Sequence, residues 1–389
     1  MNAIAPTPIL HGPSGYVPGL EGVVAAQTRL SHVDGQAGEL IIAGYRLEAL
    51  ASQAGFEEVA YLLWNDALPN RAELASFRSR LADQRDLPAI TRTVMEGAAR
   101  QALPVMDALR MAAGTLSLSE AVASADMRDA GIGLLARLPV IVAGYWRLRQ
   151  GLPLVEPRPD LGEAANYLYM LFGEAPAAER TRGLETYLNT VVDHGLNAST
   201  FTARVIISTG SDLVSAIVGA IGALKGPLHG GAPGPALDMV FEIGEASRAE
   251  AYLRAKLERH ERLMGFGHRV YRVRDPRADV LAAAAERLYE RAGDMALYEL
   301  AKSVEATALA LLAEYQPDRR LQTNVEYYTA LLLHGLELPS ELFSPTFAVS
   351  RTAGWIAHSL EQRLQSRIIR PQSEYIGPLD RRWVPIEQR

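Results

Sequence analysis

The stretch Asp294-Met-Ala-Leu297-Tyr-Glu-Leu300-Ala301-Lys-Ser-Val304-Glu-Ala-Thr-Ala308-Leu-Ala-Leu311-Leu312-Ala-Glu-Tyr315-Gln-Pro317 decides the fold class of this chain. Its apolar residues recur at intervals of three and four, which puts Leu297, Leu300, Ala301, Val304, Ala308, Leu311, Leu312 and Tyr315 on one helical face. Asp294 reads as the start signal and Pro317 as the stop. Such a stripe packs a core and needs no cofactor to explain it. Outward from it, similar patterns recur over Asn70–Leu81, Ala246–Leu263, Pro276–Ala292 and Ser340–Leu364, separated by short Gly, Pro and Asp punctuation. They predict a large all-α protein. The exception lies near the N-terminus, where short β-compatible runs flank Asp34-Gly35 between Leu30 and Tyr45 and predict a short β-hairpin.

The 389 residues are 48% hydrophobic and 22% charged, enough to bury a large core, and the length allows two domains or one large domain with an insertion. Forty-five acidic residues against 39 basic ones leave a net charge of −6, which argues against a general nucleic-acid binder because phosphate neutralisation needs a basic surface. No cysteine is present, so disulfides, thiol nucleophiles and cysteine-ligated metals are excluded, in keeping with a cytoplasmic location. The chain lacks an uncharged apolar run of about 18 residues, and its start lacks a basic then apolar leader, so no membrane association is expected.

Two irregular stretches stand out. Gly151–Pro159 carries three prolines and reads as a surface connection, whereas Gly226-Pro-Leu-His229-Gly-Gly-Ala-Pro-Gly-Pro235 sets a histidine on backbone that a ligand can approach closely. His194, in Asp193-His194-Gly-Leu-Asn197-Ala-Ser199, and His268, in Gly265-Phe-Gly267-His268-Arg269, sit in comparable settings. Their spacing shows no metal pattern, and P-loop, G-x-S-x-G and G-x-G-x-x-G motifs are missing. Between Arg262 and Arg277 five arginines face one acid, Asp275. Asp275-Pro276 reads as a cap with proline at the first helical position, holding Arg277 where its guanidinium and the helix N-terminus would both favour a carboxylate. Glu326 follows Thr323 at capping-box spacing. Arg351 and Arg370 are ordinary when taken alone.

Taken in order, these motifs resemble the citrate synthase family. The likeness runs from Gly19 to about Gly377 through Gly19-Leu-Glu-Gly, Asp34-Gly35, Phe56–Leu63, Asp193-His194 with Asn197–Phe201, and Gly222-Ala-Leu-Lys-Gly-Pro-Leu-His229-Gly-Gly. It continues through Gly265-Phe-Gly-His268-Arg with Asp275-Pro-Arg277, Asn324-Val, Arg351-Thr-Ala-Gly-Trp355 and Arg370-Pro371. The resemblance implies a large helical domain of residues 1–220 and 321–389, a smaller helical insertion of 221–320, and a homodimer. It implies condensation of acetyl-CoA with oxaloacetate and hydrolysis of citryl-CoA, with no metal or other cofactor and the CoA thioester as substrate. Carried over position by position, His229 would stabilise the enolate, Glu326 would take the methyl proton and His268 would donate to the ketone oxygen. Arg277, Arg351, His194 and, from the neighbouring subunit, Arg370 would hold oxaloacetate, and Arg272 a CoA phosphate. Two positions depart from the family pattern: Glu326 stands in place of aspartate, and Pro233 in place of asparagine. The resemblance leaves open propionyl-CoA as the thioester, giving 2-methylcitrate, and a non-catalytic homologue that binds CoA or a dicarboxylate.

Overall fold

The spacing around residues 294–317 becomes a helix over Ala296–Tyr315 in a computed structural model that describes residues 15–389 except 121, 123, 125, 231, 232 and 269. Asp294 accepts the amide of Ala296 through its side chain, and Pro317 opens a separate 3₁₀ turn. Sixteen α-helices lie among the described residues. The first six are α1 Leu47–Gln53, α2 Phe56–Asn65, α3 Arg71–Asp83, α4 Ala89–Arg100, α5 Val105–Gly114 and α6 Met127–Arg149. Then follow α7 Glu163–Phe172, α8 Ala178–Val191, α9 Ala198–Ser208, α10 Leu213–Leu224 and α11 Pro233–Ile243. The last five are α12 Ala249–Glu258, α13 Pro276–Ala292, α14 Ala296–Tyr315, α15 Val325–Gly335 and α16 Phe343–Gln365.

The N-terminal hairpin pairs β1 Ser31–Asp34 with β2 Glu39–Ile42, Ser31 opposite Ile42 and Asp34 opposite Glu39, and a two-residue strand β3, Tyr45–Arg46, extends it. The connection is four residues long, not the two that Asp-Gly turns favour. Asp34 Oδ1 accepts the amides of Gln36 and Ala37, both at 2.8 Å, and so winds the chain one step further. Two other expectations need correction. Helix does not run through Ala246–Leu263: a 3₁₀ turn at Ala246–Arg248 leads into α12, which stops at Glu258, and His260 has a positive φ. The Gly226–Pro235 loop is also shorter than the sequence suggests. Pro233 and Pro235 lie in the first turn of α11, where a missing amide donor breaks no helical bond.

Helices α6 and α16 run through the interior. α6 is long and apolar enough to cross a membrane by length and composition, but its apolar window is 89% buried in the helical packing. Its two buried arginines donate to backbone carbonyls, Arg137 to Asp86, and Arg147 to Pro153 and to Leu171 of α7, which ties the Gly151–Pro159 connection to both helices. Buried along almost its whole length, α16 packs on α2, α6, α8, α9 and α10. α13 packs on α8 and α15, α11 on α15, and α12 on α14. His194, His229 and His268 lie on the loops after α8, α10 and α12, Arg277 and Glu326 in the first turns of α13 and α15, Arg351 within α16, and Arg370 beyond it.

Candidate active site

The loop after α8 is held from three sides. Gly195 donates its amide to Ser31 Oγ on β1 at 2.8 Å, and Asn197 caps α9 by accepting the Thr200 amide at 3.1 Å. From α16, Arg351 donates Nε to the Val191 carbonyl at 2.7 Å while its guanidinium lies 4.5 Å from the centre of the Phe347 ring. Gly354 permits this approach, since a Cβ there would stand 2.3 Å from the Val192 carbonyl oxygen. Below the loop, Asp193 and His358 are fully buried, with His358 Nε2 at 3.1 Å from Asp193 Oδ1. Arg204 Nη1 lies 3.0 Å from His358 Nδ1; a guanidinium only donates, so Nδ1 accepts and Nε2 carries the proton given to Asp193.

The segment carrying His268 is fixed by backbone pairing. Gly267 donates to the Gln322 carbonyl at 2.7 Å, the Asn324 amide to the Gly265 carbonyl at 3.0 Å, and Asn324 Nδ2 to the Gly267 carbonyl at 2.8 Å. On the other side the β1–β2 connection docks against it, Arg272 donating its amide to the Gly35 carbonyl at 2.7 Å. The ring of His268 accepts the amides of Val270 and Tyr271 at Nδ1, at 3.0 and 3.1 Å. Its single proton therefore sits on Nε2. Arg277 Nη2 lies 3.2 Å from that nitrogen, so two donors face the same space, an arrangement that an anionic oxygen between them would relieve. Arg277 is itself clamped by Asp275, Nε to Oδ1 at 3.0 Å and Nη2 to Oδ2 at 2.7 Å, while Asp275 Oδ1 also caps α13 as the sequence indicates. His194 completes the group, its ring 5.8 Å from that of His268 and its Nε2 3.2 Å from the Tyr271 hydroxyl.

His229 follows α10 in a turn that Gly230 closes, where a Cβ would meet the Leu224 carbonyl oxygen at 2.4 Å. Its Nε2 accepts the Ser199 amide at 3.3 Å and lies 2.8 Å from Ser199 Oγ, which also receives the indole N–H of Trp355 at 3.1 Å. With Nε2 accepting, the proton of the neutral ring is on Nδ1. Glu326 is not the end of a capping box. Asn324 is the N-cap of α15, accepting the Glu326 amide at 3.0 Å, and Thr323 gives its hydroxyl to Glu305 at 2.7 Å. The Glu326 carboxyl is thereby released from capping.

Charge around these groups is strongly displaced. Burial raises Glu326 to about 7 against the opposing pull of Arg277, with Asp275 adding to the rise. Burial and then Arg351 lower His229 to about 4; burial and then Arg277 do the same for His268. His194 is held well below its ordinary value by burial, then by Arg277, Arg351 and His268. Burial brings Arg351 down to about 10, with Asp193 opposing. All three histidines are thus neutral near pH 7, each able to donate one proton in a hydrogen bond without carrying charge. Glu326 titrates close to neutrality.

The arginine-rich segment is less open than its charge suggests. Arg274 is committed to Asp279 and Glu305, Arg262 is exposed, and Arg269 lies outside the described residues. Arg272 instead joins Arg319, Arg320, Gln36, Val273, Asp318 and Leu321 around a cavity of about 710 Å³. Arg370 sits on the exposed, extended chain beyond α16, apart from the other candidates. Sequence reasoning missed the partners: Ser199 on His229, Tyr271 on His194, and the Asp275 clamp on Arg277. Ser199 is legible only as part of a helix start, because its partner lies 30 residues away.

The family described as "Citrate synthase, C-terminal domain" matches residues 19–372. The chain is 43% identical to citrate synthase 2 of Bacillus subtilis, covering 95% of this chain and 98% of that one. It is 38% identical to 2-methylcitrate synthase of Shewanella oneidensis, covering 95% and 97%. The solved structure of citrate synthase from Pyrobaculum aerophilum superposes with a TM-score of 0.88 at 37% identity, over 100% of both chains. Fold and relatives together define a condensing enzyme of the transferase class. The chain belongs to the citrate synthase family.

Proposed function

We propose that this protein condenses acetyl-CoA with oxaloacetate and hydrolyses the resulting citryl-CoA to citrate and CoA. The observation that supports the reading is a pair of histidines, His229 and His268, whose single protons are assigned by their partners, with Arg277 linking His268, at 3.2 Å, to the electrostatic surroundings of Glu326, a carboxyl raised to about 7 by burial. A thioester α-proton is a weak acid, so its removal needs a base and a donor acting together on the developing oxyanion. Ionised Glu326 takes the methyl proton while His229 Nδ1–H donates to the thioester oxygen. The enolate carbon then attacks the ketone carbon of oxaloacetate, and His268 Nε2–H donates to the oxygen that becomes the alcohol. Water finally cleaves the thioester, releasing CoA.

Arg277 and Arg351 hold the oxaloacetate carboxylates, with His194 beside them and Arg370 supplied by the neighbouring subunit of a homodimer. Preset forks orient two oxygens each, and the Asp275 clamp keeps Arg277 in place before substrate arrives. Arg272, with Arg319 and Arg320, receives the CoA phosphates. Residues 221–320 form the smaller domain, inserted between 1–220 and 321–389, and its closure excludes water before the enolate forms. The reaction uses no metal or other cofactor, and we assign the protein to the cytoplasm.

Similarity to a 2-methylcitrate synthase supports propionyl-CoA as the second reading. One methylene in a pocket is worth only about 1–3 kcal/mol, so the choice is made by rates rather than by motif. Release of free CoA from acetyl-CoA and propionyl-CoA, each with oxaloacetate, decides it: the higher kcat/KM is expected for acetyl-CoA. A higher value for propionyl-CoA reverses the assignment, and binding of both ligands without turnover makes the protein a sensor.

A further inference from the structure

Tyr271 is buried on the segment between α12 and α13, where it touches three of the candidate site residues at once. Its amide is one of the two that His268 Nδ1 accepts, at 3.1 Å. Its ring centre lies 4.9 Å from that of His268 and 5.7 Å from that of His194, and the guanidinium of Arg277 stands 5.8 Å from it. Its hydroxyl lies 3.2 Å from His194 Nε2, 77 positions away in the chain. A buried phenol needs a hydrogen-bond partner, and Tyr145, Tyr289 and Tyr327 meet that need with the backbone carbonyls of Leu103, Leu331 and Ala301. A carbonyl is unchanged by the bond. An imidazole is not, because a neutral ring has one proton and two nitrogens, and the partner of either nitrogen selects where the proton sits. Burial, then Arg277, Arg351 and His268, hold His194 neutral, while burial raises the Tyr271 phenol against the pull of Arg277 and keeps it protonated.

We propose that Tyr271 is a positioning residue for oxaloacetate: its hydroxyl fixes the orientation and the tautomer of His194. The proposal rests on the reading of His194 as an oxaloacetate ligand. The loop backbone around His194 is held by Ser31 at Gly195 and by Arg351 at Val191, but neither bond reaches the imidazole. Among the described residues the one hydrogen bond to that ring comes from Tyr271. Both of its effects matter to an anion. A hydrogen bond weakens steeply when the N–H points away, and a ring with its proton on the wrong nitrogen turns a lone pair, not a donor, toward a carboxylate. The ring and amide of Tyr271 serve His268 and Arg277, so the hydroxyl alone serves His194.

The test is Tyr271→Phe, which keeps the ring and the amide and removes only the hydroxyl. In ¹⁵N-histidine-labelled protein, with His194→Gln identifying the resonances, the wild type should show a single protonated nitrogen on His194 and the variant a mixture of the two tautomers. The oxaloacetate Kd, by calorimetry, and its KM should rise about tenfold, whereas kcat should stay within about threefold and KM for acetyl-CoA within about twofold. In a His194→Gln background the same substitution should move the oxaloacetate Kd by less than about twofold, because its effect passes through the imidazole. A wild type already showing both tautomers overturns the proposal, as does a tautomer unmoved in the variant. So does a tenfold loss repeated in the His194→Gln background, which would make the hydroxyl a direct ligand of substrate, or a lower melting temperature with an unmoved Kd, which would make it structural. Calorimetry and NMR need no turnover, so a wild type that binds oxaloacetate without reaction would overturn the proposed activity and leave the Tyr271 result readable. A wild type that binds no oxaloacetate overturns both.

Discussion

Glu326 shows how one side chain can carry opposite instructions at two levels. By spacing it belongs to a capping box, but Asn324 takes the cap and Thr323 turns to Glu305, so the carboxyl is left to its surroundings. Those surroundings raise it from an ordinary 4.5 to about 7. Between these values the folded chain holds a proton that the unfolded chain has lost, so this group makes stability fall as pH rises through the window. Glu326→Gln should therefore raise the melting temperature more at pH 8 than at pH 4.5, and should lower turnover by at least about 10²-fold, as expected for a lost general base. Wild-type kcat/KM should climb through about pH 7. Wild-type-like turnover in the variant, or equal thermal shifts at the two pH values, would contradict this account. The lowered histidines act in the opposite sense: as pH falls from 6.5 toward about 4 the unfolded chain takes up protons that His229 and His268 refuse, and stability is lost on that side.

At the scale of elements, the small N-terminal sheet is a buttress for the site. Its β1–β2 connection receives the Arg272 amide, and a Cβ on Gly35 would stand 2.1 Å from the Val270 carbonyl oxygen. Val270 and Tyr271 are the residues whose amides fix the tautomer of His268. Gly35→Ala should push that segment away, costing about 1–3 kcal/mol as overpacking does, and should lower kcat more than it lowers stability would suggest. Urea melts beside steady-state kinetics check this; an unchanged kcat in a destabilised variant would make the contact merely structural. Asp34-Gly35 announces a turn in the sequence, but nothing local tells what the turn rests on. The stretches that become α3, α12, α13, α14 and α16 are legible in the sequence, because apolar spacing is a local property. Helix limits were less so: α12 ends before Arg259 although the apolar pattern continues, and α11 begins inside a run of prolines.

The whole molecule adds the question of the second subunit. Exposed Arg370 lies on a terminal extended segment, along which Tyr375, Ile376, Leu379 and Trp383 are also exposed, an apolar series fitting the proposed homodimer. If Arg370 completes the neighbour's site, Arg351→Ala and Arg370→Ala should each be nearly inactive alone. Refolded together, they should regain activity, because each mixed dimer holds one site with both arginines intact. Sedimentation of the mixture beside CoA-release kinetics tests this, and no recovery in a verified mixed dimer would return Arg370 to its own chain.

By itself the sequence determined the helical class, the short N-terminal hairpin, the family and the residue types able to bind and activate a thioester and a dicarboxylate. These follow from local periodicity and from motifs whose order along the chain is itself information. Only the tertiary structure decided which nitrogen of His229, His268 and His358 carries the proton, that Glu326 is free of its cap, that Arg274 is spent on Asp279 and Glu305, and that the buried Tyr187 hydroxyl has no hydrogen-bond partner among the described residues. Each of these depends on partners many residues away and on burial, and neither is written in the spacing of a single segment.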